Sequence, residues 1–87
     1  MKSFTAKIID PVGLHARPAS VTVSSASKFD SDITIESNGK KGNLKSIMNI
    51  MALGVRQDDE IIITANGSDE DEAITQVQKT MKENNLI

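Results

Sequence analysis

Apolar and polar residues alternate along three stretches of the chain, at residues 4–9, 32–37 and 60–65. This alternation is typical of β-strands that turn one face toward a core. Asn38-Gly39 follows the second stretch, and this dipeptide favours a type I′ hairpin turn. A short strand with lysines, at residues 40–44, is therefore predicted to return beside the second strand at an edge of the sheet.

Three other stretches carry apolar residues at steps of three and four, which is the spacing of one face of an α-helix. The first helix is predicted over residues 16–27. A short helix fits between Ser46, a favourable N-cap, and Gly54, a favourable C′ residue. The last helix is predicted to begin at Ser68 or Asp69, and its acidic first turn suits the helix dipole.

The predicted order of elements is therefore βαββαβα. This order is typical of an α+β fold, an open-faced β-sandwich in which three helices cover one face of a four-stranded antiparallel sheet. We expect residues 1–87 to form a single domain, which at this size buries about 60% of its unfolded surface. Such a domain has no room for a deep pocket and a cofactor domain, so no cofactor is predicted.

Composition and charge narrow the classes of function. The net charge is −2, and Phe4 and Phe29 are the only aromatic residues. An acidic chain without stacking aromatics argues against direct nucleic acid binding. With one histidine and no cysteine, we expect no metal site. No apolar run has membrane-spanning length and the N-terminus has no signal-peptide core, so we expect a cytoplasmic protein without membrane insertion.

The single histidine lies in the stretch Gly13-Leu14-His15-Ala16-Arg17-Pro18-Ala19. Because proline is tolerated in the first turn of a helix, the helix is predicted to begin near Ala16, with His15 at or beside its N-cap. The free N–H groups at that end and the guanidinium of Arg17 would bind an anion attached to the imidazole. A lone histidine is more often a surface residue or a cap, but these neighbours favour a group that receives and releases phosphate.

Two apolar stripes are predicted on the short helix. Successive residues of a helix are rotated by about 100°, which puts Ile50 and Leu53 on one side and a second group of apolar residues on another side. The residues of this second stripe are Ile47, Met48 and Met51. Because a helix on a sheet buries one stripe fully, the second is either an adaptable docking surface or packs beneath the first helix. The spacing leaves both interpretations open.

Ser46 also has two interpretations. As an N-cap it needs no further function. A phosphate on Ser46 would lie at the helix N-terminus and would add about two negative charges beside the second stripe. Such a charge could regulate docking without unfolding the helix.

With the His15 stretch and Lys45-Ser46-Ile47-Met48 both in place, the chain closely resembles the HPr family over essentially all of its length. HPr proteins are the histidine-containing phosphocarriers of the bacterial phosphoenolpyruvate-dependent sugar phosphotransferase system. The resemblance implies that His15 accepts phosphate from phospho-enzyme I on Nδ1 and passes it to sugar-specific enzyme IIA domains. It further implies a carrier, not an enzyme, in which Arg17 helps to bind the phosphate and Pro18 helps to shape the loop. We also expect Ala16 to bind the phosphate and the protein to be a monomer. We predict that partners dock on Ser20, Ile47, Met48 and Met51.

The stretch around Ser46 resembles the site phosphorylated by the ATP-dependent HPr kinase/phosphorylase of low-GC Gram-positive bacteria. In such bacteria the serine-phosphorylated protein is a corepressor for a catabolite-control transcription regulator. An alternative function is therefore a regulatory binding module that acts mainly through Ser46. The presence of His15 favours the carrier, because a related regulatory paralogue lacks that histidine. Some family members have lysines where this chain has Ser24 and Ser27, so their contribution to docking does not carry over.

Overall fold

The computed structural model describes all 87 residues, and it confirms the predicted order of elements. The strands are β1 (Lys2–Lys7), β2 (Asp32–Ser37), β3 (Lys40–Asn43) and β4 (Glu60–Asn66). The helices are α1 (Ala16–Ala26), α2 (Ile47–Ala52) and α3 (Glu70–Glu83).

The strands form one antiparallel sheet in the spatial order β1-β4-β2-β3. β2 and β3 are joined by the predicted hairpin, since Asn38 and Gly39 both have positive φ values, of 55° and 77°. β3 lies at one edge and exposes Lys40 and Lys41 to solvent. Charged side chains on an edge strand discourage pairing with other chains.

The two faces of the sheet differ in polarity, as an open-faced sandwich requires. On the outer face, pairs of opposite charge lie across from each other, with Glu36 opposite Lys41 and Lys7 opposite Glu60. The inner face is apolar and is covered by the helices. The fully buried side chains there include Ile35, Ile61 and Ile63 from the sheet and Ile50, Val77 and Met81 from the helices.

The first strand ends earlier than residues 4–9 predict, because the chain there changes partners. Ile8 donates its N–H to the carbonyl of Asp59 at 3.0 Å, and Ile9 donates to the carbonyl of Leu86 at 2.8 Å. The alternation and the β1–β4 register continue through Ile8, which is fully buried, and the hydrogen bonding leaves that register only at Ile9. The first helix also ends one residue early, since Ser27 is its C-cap.

Asp69 joins the start of α3 to the segment before β2. Its carboxylate accepts hydrogen bonds from the backbone N–H groups of Asp30 and Ser31, at 2.8 and 2.9 Å, and from the hydroxyl of Ser31. The Ser31 hydroxyl is the main cause that holds the pKa of Asp69 below its ordinary value, followed by the N–H of Asp30. Asp69 therefore bonds most favourably to this segment when it is ionised.

Replacing Asp69 by asparagine is expected to lower the free energy of unfolding at neutral pH. A carboxyl group whose pKa is lower in the folded state stabilises the protein above its unfolded pKa of about 4. That stability is lost as the pH falls through the lower, folded pKa, so the difference between wild type and variant should shrink in acid. Urea unfolding at about pH 7 and about pH 3 measures this difference. Asp71→Asn is the control, because its side chain is 78% exposed and forms a single salt bridge, to Lys2 at 3.6 Å. An equal loss for Asp69→Asn at both pH values would contradict the argument.

Candidate functional site

The structure places His15 at the N-cap of α1, where the sequence predicts it. The residue is extended, with φ −82° and ψ −171°, and its carbonyl accepts the N–H of Ala19 at 3.0 Å. Its side chain makes no capping hydrogen bond and is 37% exposed. The imidazole is therefore held on the surface at the positive end of a helix, with its ring accessible to a partner.

The loop before His15 packs against the segment that precedes β4 and is hydrogen-bonded to it. Leu14 is buried and donates its N–H to the carbonyl of Val55 at 3.1 Å. Gly13 has a φ of 85°, and a Cβ at this position would lie 2.8 Å from the Cα of Arg56 and closer still to the Val55 carbonyl oxygen. Only glycine fits this close approach, so Gly13 determines where His15 is presented.

The first turn of α1 offers unpaired donors beside the imidazole. The N–H groups of Ala16 and Arg17 have no hydrogen-bond partner, and Pro18 has no N–H to pair. Arg17 is exposed and its guanidinium makes no ion pair. Arg17 is helical although it precedes a proline, and Pro18, the third residue of α1, is buried. Two N–H groups, a helix dipole and a guanidinium are the kinds of group that can hold an anion.

The second stripe of α2 lies on the surface. Ile47, Met48 and Met51 are 38%, 77% and 45% exposed, whereas Ile50 on the other side of the helix is fully buried. The stripe therefore does not pack beneath α1, which was the alternative that its spacing left open. Ser20 on α1 is exposed as well. We call the surface formed by Ser20, Ile47, Met48 and Met51 the α1–α2 patch.

Ser46 is the N-cap of α2, as its position predicts. Its Oγ accepts two hydrogen bonds from Asn49, one from the backbone N–H and one from the side-chain Nδ2, both at 3.2 Å. The Asn49 side chain in turn accepts the N–H of Asn43 at 3.1 Å. Asn49 thus links the end of β3 to the cap, a role that helical spacing alone does not reveal.

Asp10 is a further residue of the site that the sequence pattern does not identify. Its Oδ1 lies 3.7 Å from Nε2 of His15 and accepts the N–H of Val12 at 2.9 Å. Its carbonyl accepts the N–H of Gly13 at 3.0 Å. Asp10-Pro11 is a recognisable turn signal, but no fixed period relates residues 10 and 15 across a loop.

Three other features would bear on the function: a metal site, a membrane-spanning helix and a cavity at His15. No group of three or more His, Cys, Asp or Glu side chains comes together in a way that could hold a metal ion. None of the helices has both the length and the apolar character needed to cross a membrane. The surface cavities, the largest of about 390 Å³, do not include His15.

Comparison with known proteins confirms the resemblance drawn from the two motifs. Residues 2–83 match the family model described as the PTS HPr component phosphorylation site. Phosphocarrier protein HPr of Mycoplasma capricolum is 55% identical over 87 residues, which is all of this chain and 98% of the relative.

Solved structures agree with this assignment. The histidine-containing phosphocarrier protein of a mycoplasma superimposes with a TM-score of 0.97 at 55% identity, covering 99% of this chain and 98% of the other. An HPr dimer from Thermoanaerobacter tengcongensis is 46% identical, with a TM-score of 0.76 over 97% of each chain. Since sequence and fold agree over almost the whole length, the chain belongs to the HPr family and is a phosphocarrier of the phosphotransferase system, not an enzyme.

Proposed function

We propose that His15 carries the phosphoryl group, accepting it from phospho-enzyme I and passing it to sugar-specific enzyme IIA domains. The observation that supports this role is the exposed imidazole beside the unpaired N–H groups of Ala16 and Arg17. A phosphate attached to the ring can bind both N–H groups and the Arg17 guanidinium. It would also meet the positive end of the α1 dipole.

The shape of the site explains why the protein serves as a carrier. His15 lies on an open surface, outside every cavity of the fold, so two different partners can reach the same imidazole in turn. The groups around it stabilise the attached phosphate, but they do not enclose a reacting pair and exclude water. Most of the stabilisation of the transition state must therefore come from enzyme I and enzyme IIA.

The proposal is tested by labelling the purified protein. Incubation with labelled phosphoenolpyruvate and enzyme I should produce a phosphoprotein whose phosphate is lost in acid. Adding an enzyme IIA domain should then remove the label from this chain. Failure of enzyme I to label the protein would contradict the proposed role. Labelling only by ATP and a protein kinase would instead favour the regulatory module.

We further propose that the α1–α2 patch docks enzyme I and enzyme IIA. Its methionine side chains are exposed and adaptable, and such surfaces suit more than one partner. α1 carries both Ser20 of the patch and, at its start, Arg17 beside His15. A partner on the patch would therefore reach the imidazole without a change in this fold. We expect the protein to dock as a monomer in the cytoplasm.

Replacing Met48 by aspartate is expected to weaken binding to enzyme I by about tenfold or more, because a charge must then lose water inside an apolar contact. The Tm should hardly change, since Met48 is 77% exposed. Titration calorimetry with enzyme I and thermal unfolding measure the two effects. Thr75→Asp introduces the same charge at an exposed position of α3 and serves as the control. A large loss of stability, or equal binding by both variants, would contradict the docking role.

A second candidate function is regulation through Ser46. We propose that an ATP-dependent HPr kinase/phosphorylase phosphorylates Ser46, and that the phosphorylated form is a corepressor for a catabolite-control transcription regulator. The observation that favours it is the position of Ser46 as the cap of α2, directly before Ile47 and Met48 of the patch. A phosphate there would be stabilised by the helix N-terminus and would alter the charge at the rim of the docking surface.

Replacing Ser46 by aspartate is expected to leave the fold intact and to slow phosphoryl transfer from enzyme I. Aspartate is a good N-cap and gains roughly 0.3–1 kcal/mol from the dipole, whereas Ser46→Ala should lose about 1 kcal/mol. The slower transfer should recover as salt is raised, because charges at a rim are screened. Initial rates at low and high salt for wild type and both variants measure this effect. Equal rates for Ser46→Asp and Ser46→Ala at low salt would show that Ser46 is only a cap.

A further inference from the structure

The carboxylate of Asp10 faces one particular nitrogen of the His15 ring. The 3.7 Å distance joins Asp10 Oδ1 to Nε2. Asp10 is held in place, because the same Oδ1 accepts the N–H of Val12 and its side chain is only 14% exposed. The contact is therefore built into the turn that presents His15.

This contact distinguishes the two forms of a neutral imidazole. A neutral ring carries its proton on one nitrogen and a lone pair on the other. A carboxylate is only an acceptor, so it attracts an N–H at Nε2 and repels a lone pair there. The Asp10 charge thus favours the form in which the proton is on Nε2 and the lone pair is on Nδ1.

We propose that Asp10 is a positioning residue for phosphoryl transfer, which keeps the proton of His15 on Nε2 and leaves Nδ1 as the nucleophile. The inference deepens the proposed function of His15 and rests on it. Asp10 faces Nε2, the nitrogen that is not phosphorylated, and is assigned no contact with the phosphate or its donor. It acts through the ring, as a carboxylate that orients a histidine does in other sites.

The transfer step balances without any proton movement. The Nδ1 lone pair forms a bond to phosphorus, and the bond from phosphorus to the donor atom breaks with its electron pair returning to the donor. The proton stays on Nε2, so the ring becomes positively charged as the new bond forms. The Asp10 carboxylate faces that developing charge, and a preorganised opposite charge at such a place lowers the barrier to forming the bond between Nδ1 and phosphorus.

The charge of Asp10 is not needed to form its turn. Asparagine also accepts a backbone N–H two residues ahead through its side-chain oxygen, so Asp10→Asn can keep the Val12 contact. What the variant loses is the negative charge opposite Nε2. Asp30→Asn makes the same change of charge beyond the far end of α1, an 11-residue helix, and is the matched control.

The first measurement needs no phosphoryl transfer. Nitrogen-15 NMR of the neutral His15 ring reports which of its two nitrogens carries the proton. The wild type should hold its proton on Nε2. In Asp10→Asn the ratio of the Nε2–H to the Nδ1–H form should fall about fivefold, since the Coulomb attraction between the carboxylate and the N–H is lost. The amide resonance of Val12 checks that the turn is retained.

The second measurement is the initial rate of phosphorylation by enzyme I, which should fall about tenfold in Asp10→Asn and stay unchanged in Asp30→Asn. A wild-type ring with its proton mainly on Nδ1 would overturn the inference without any variant. So would an unchanged ratio in Asp10→Asn. Failure of the proposed function looks different, because the ring would then show the expected proton position while enzyme I labelled no protein at all.

Discussion

Replacing His15 by alanine is expected to abolish phosphorylation by enzyme I while the protein stays folded. The imidazole is the only nucleophile at the start of α1 beside unpaired N–H groups, and no other histidine can replace it. Its side chain makes no capping hydrogen bond, so its removal should cost at most about 1 kcal/mol. Phosphoprotein formation and urea unfolding measure the two effects.

His15→Asn sharpens this test, because asparagine is a favourable N-cap but gives no stable phosphoryl adduct. The asparagine variant should be at least as stable as wild type and still remain unlabelled. Labelling of either variant by enzyme I would show that the phosphate is carried elsewhere, and the proposed site would then be wrong.

Replacing Gly13 by alanine should cause the largest loss of stability of any single methyl group added to the site. The positive φ costs about 1–2 kcal/mol for a residue with a Cβ. The clash with Val55 and Arg56 adds about 1–3 kcal/mol, because both obstacles are backbone atoms that cannot rotate away. Transfer should also slow, since the loop must shift and carry His15 with it.

Gly39→Ala separates the two costs of this substitution. Gly39 has a similar φ of 77°, but a Cβ there meets nothing within 4 Å. It should therefore lose only the backbone cost of about 1–2 kcal/mol and transfer phosphate normally. Urea unfolding of both variants measures the difference. Equal losses would show that the loop can move away from Val55 without penalty.

The elements of the fold follow from local signals along the chain. The alternation in β2 and β4, the Asn38-Gly39 turn and the capping position of Ser46 all depend on near neighbours, so they are readable without the rest of the molecule. The end of β1 is not readable in this way, because Ile9 continues the alternation but donates its N–H to Leu86, which lies outside β4.

The candidate site was predictable only in part for the same reason. Helical spacing placed His15 at its cap, but it could not decide which stripe of α2 faces solvent, because that depends on how α2 packs on its neighbours. The contact of Asp10 with His15 crosses an irregular turn, where no period relates side chains. The sequence therefore predicts which residue types form the motif, whereas the orientation of the His15 ring depends on the conformation of the loop and has to be read from the structure.

The order of strands in the sheet has a consequence for biosynthesis. β1 lies at an edge and pairs only with β4, so the first strand to leave the ribosome has no partner until residues 60–66 have been made. The hydrogen bond from Ile9 to Leu86 can form only after residue 86 has been made. Contacts so distant in sequence slow folding. A nascent chain that stalls before residue 55 therefore keeps β1 unpaired, and the loop with His15 also lacks Val55 and Arg56, against which it packs.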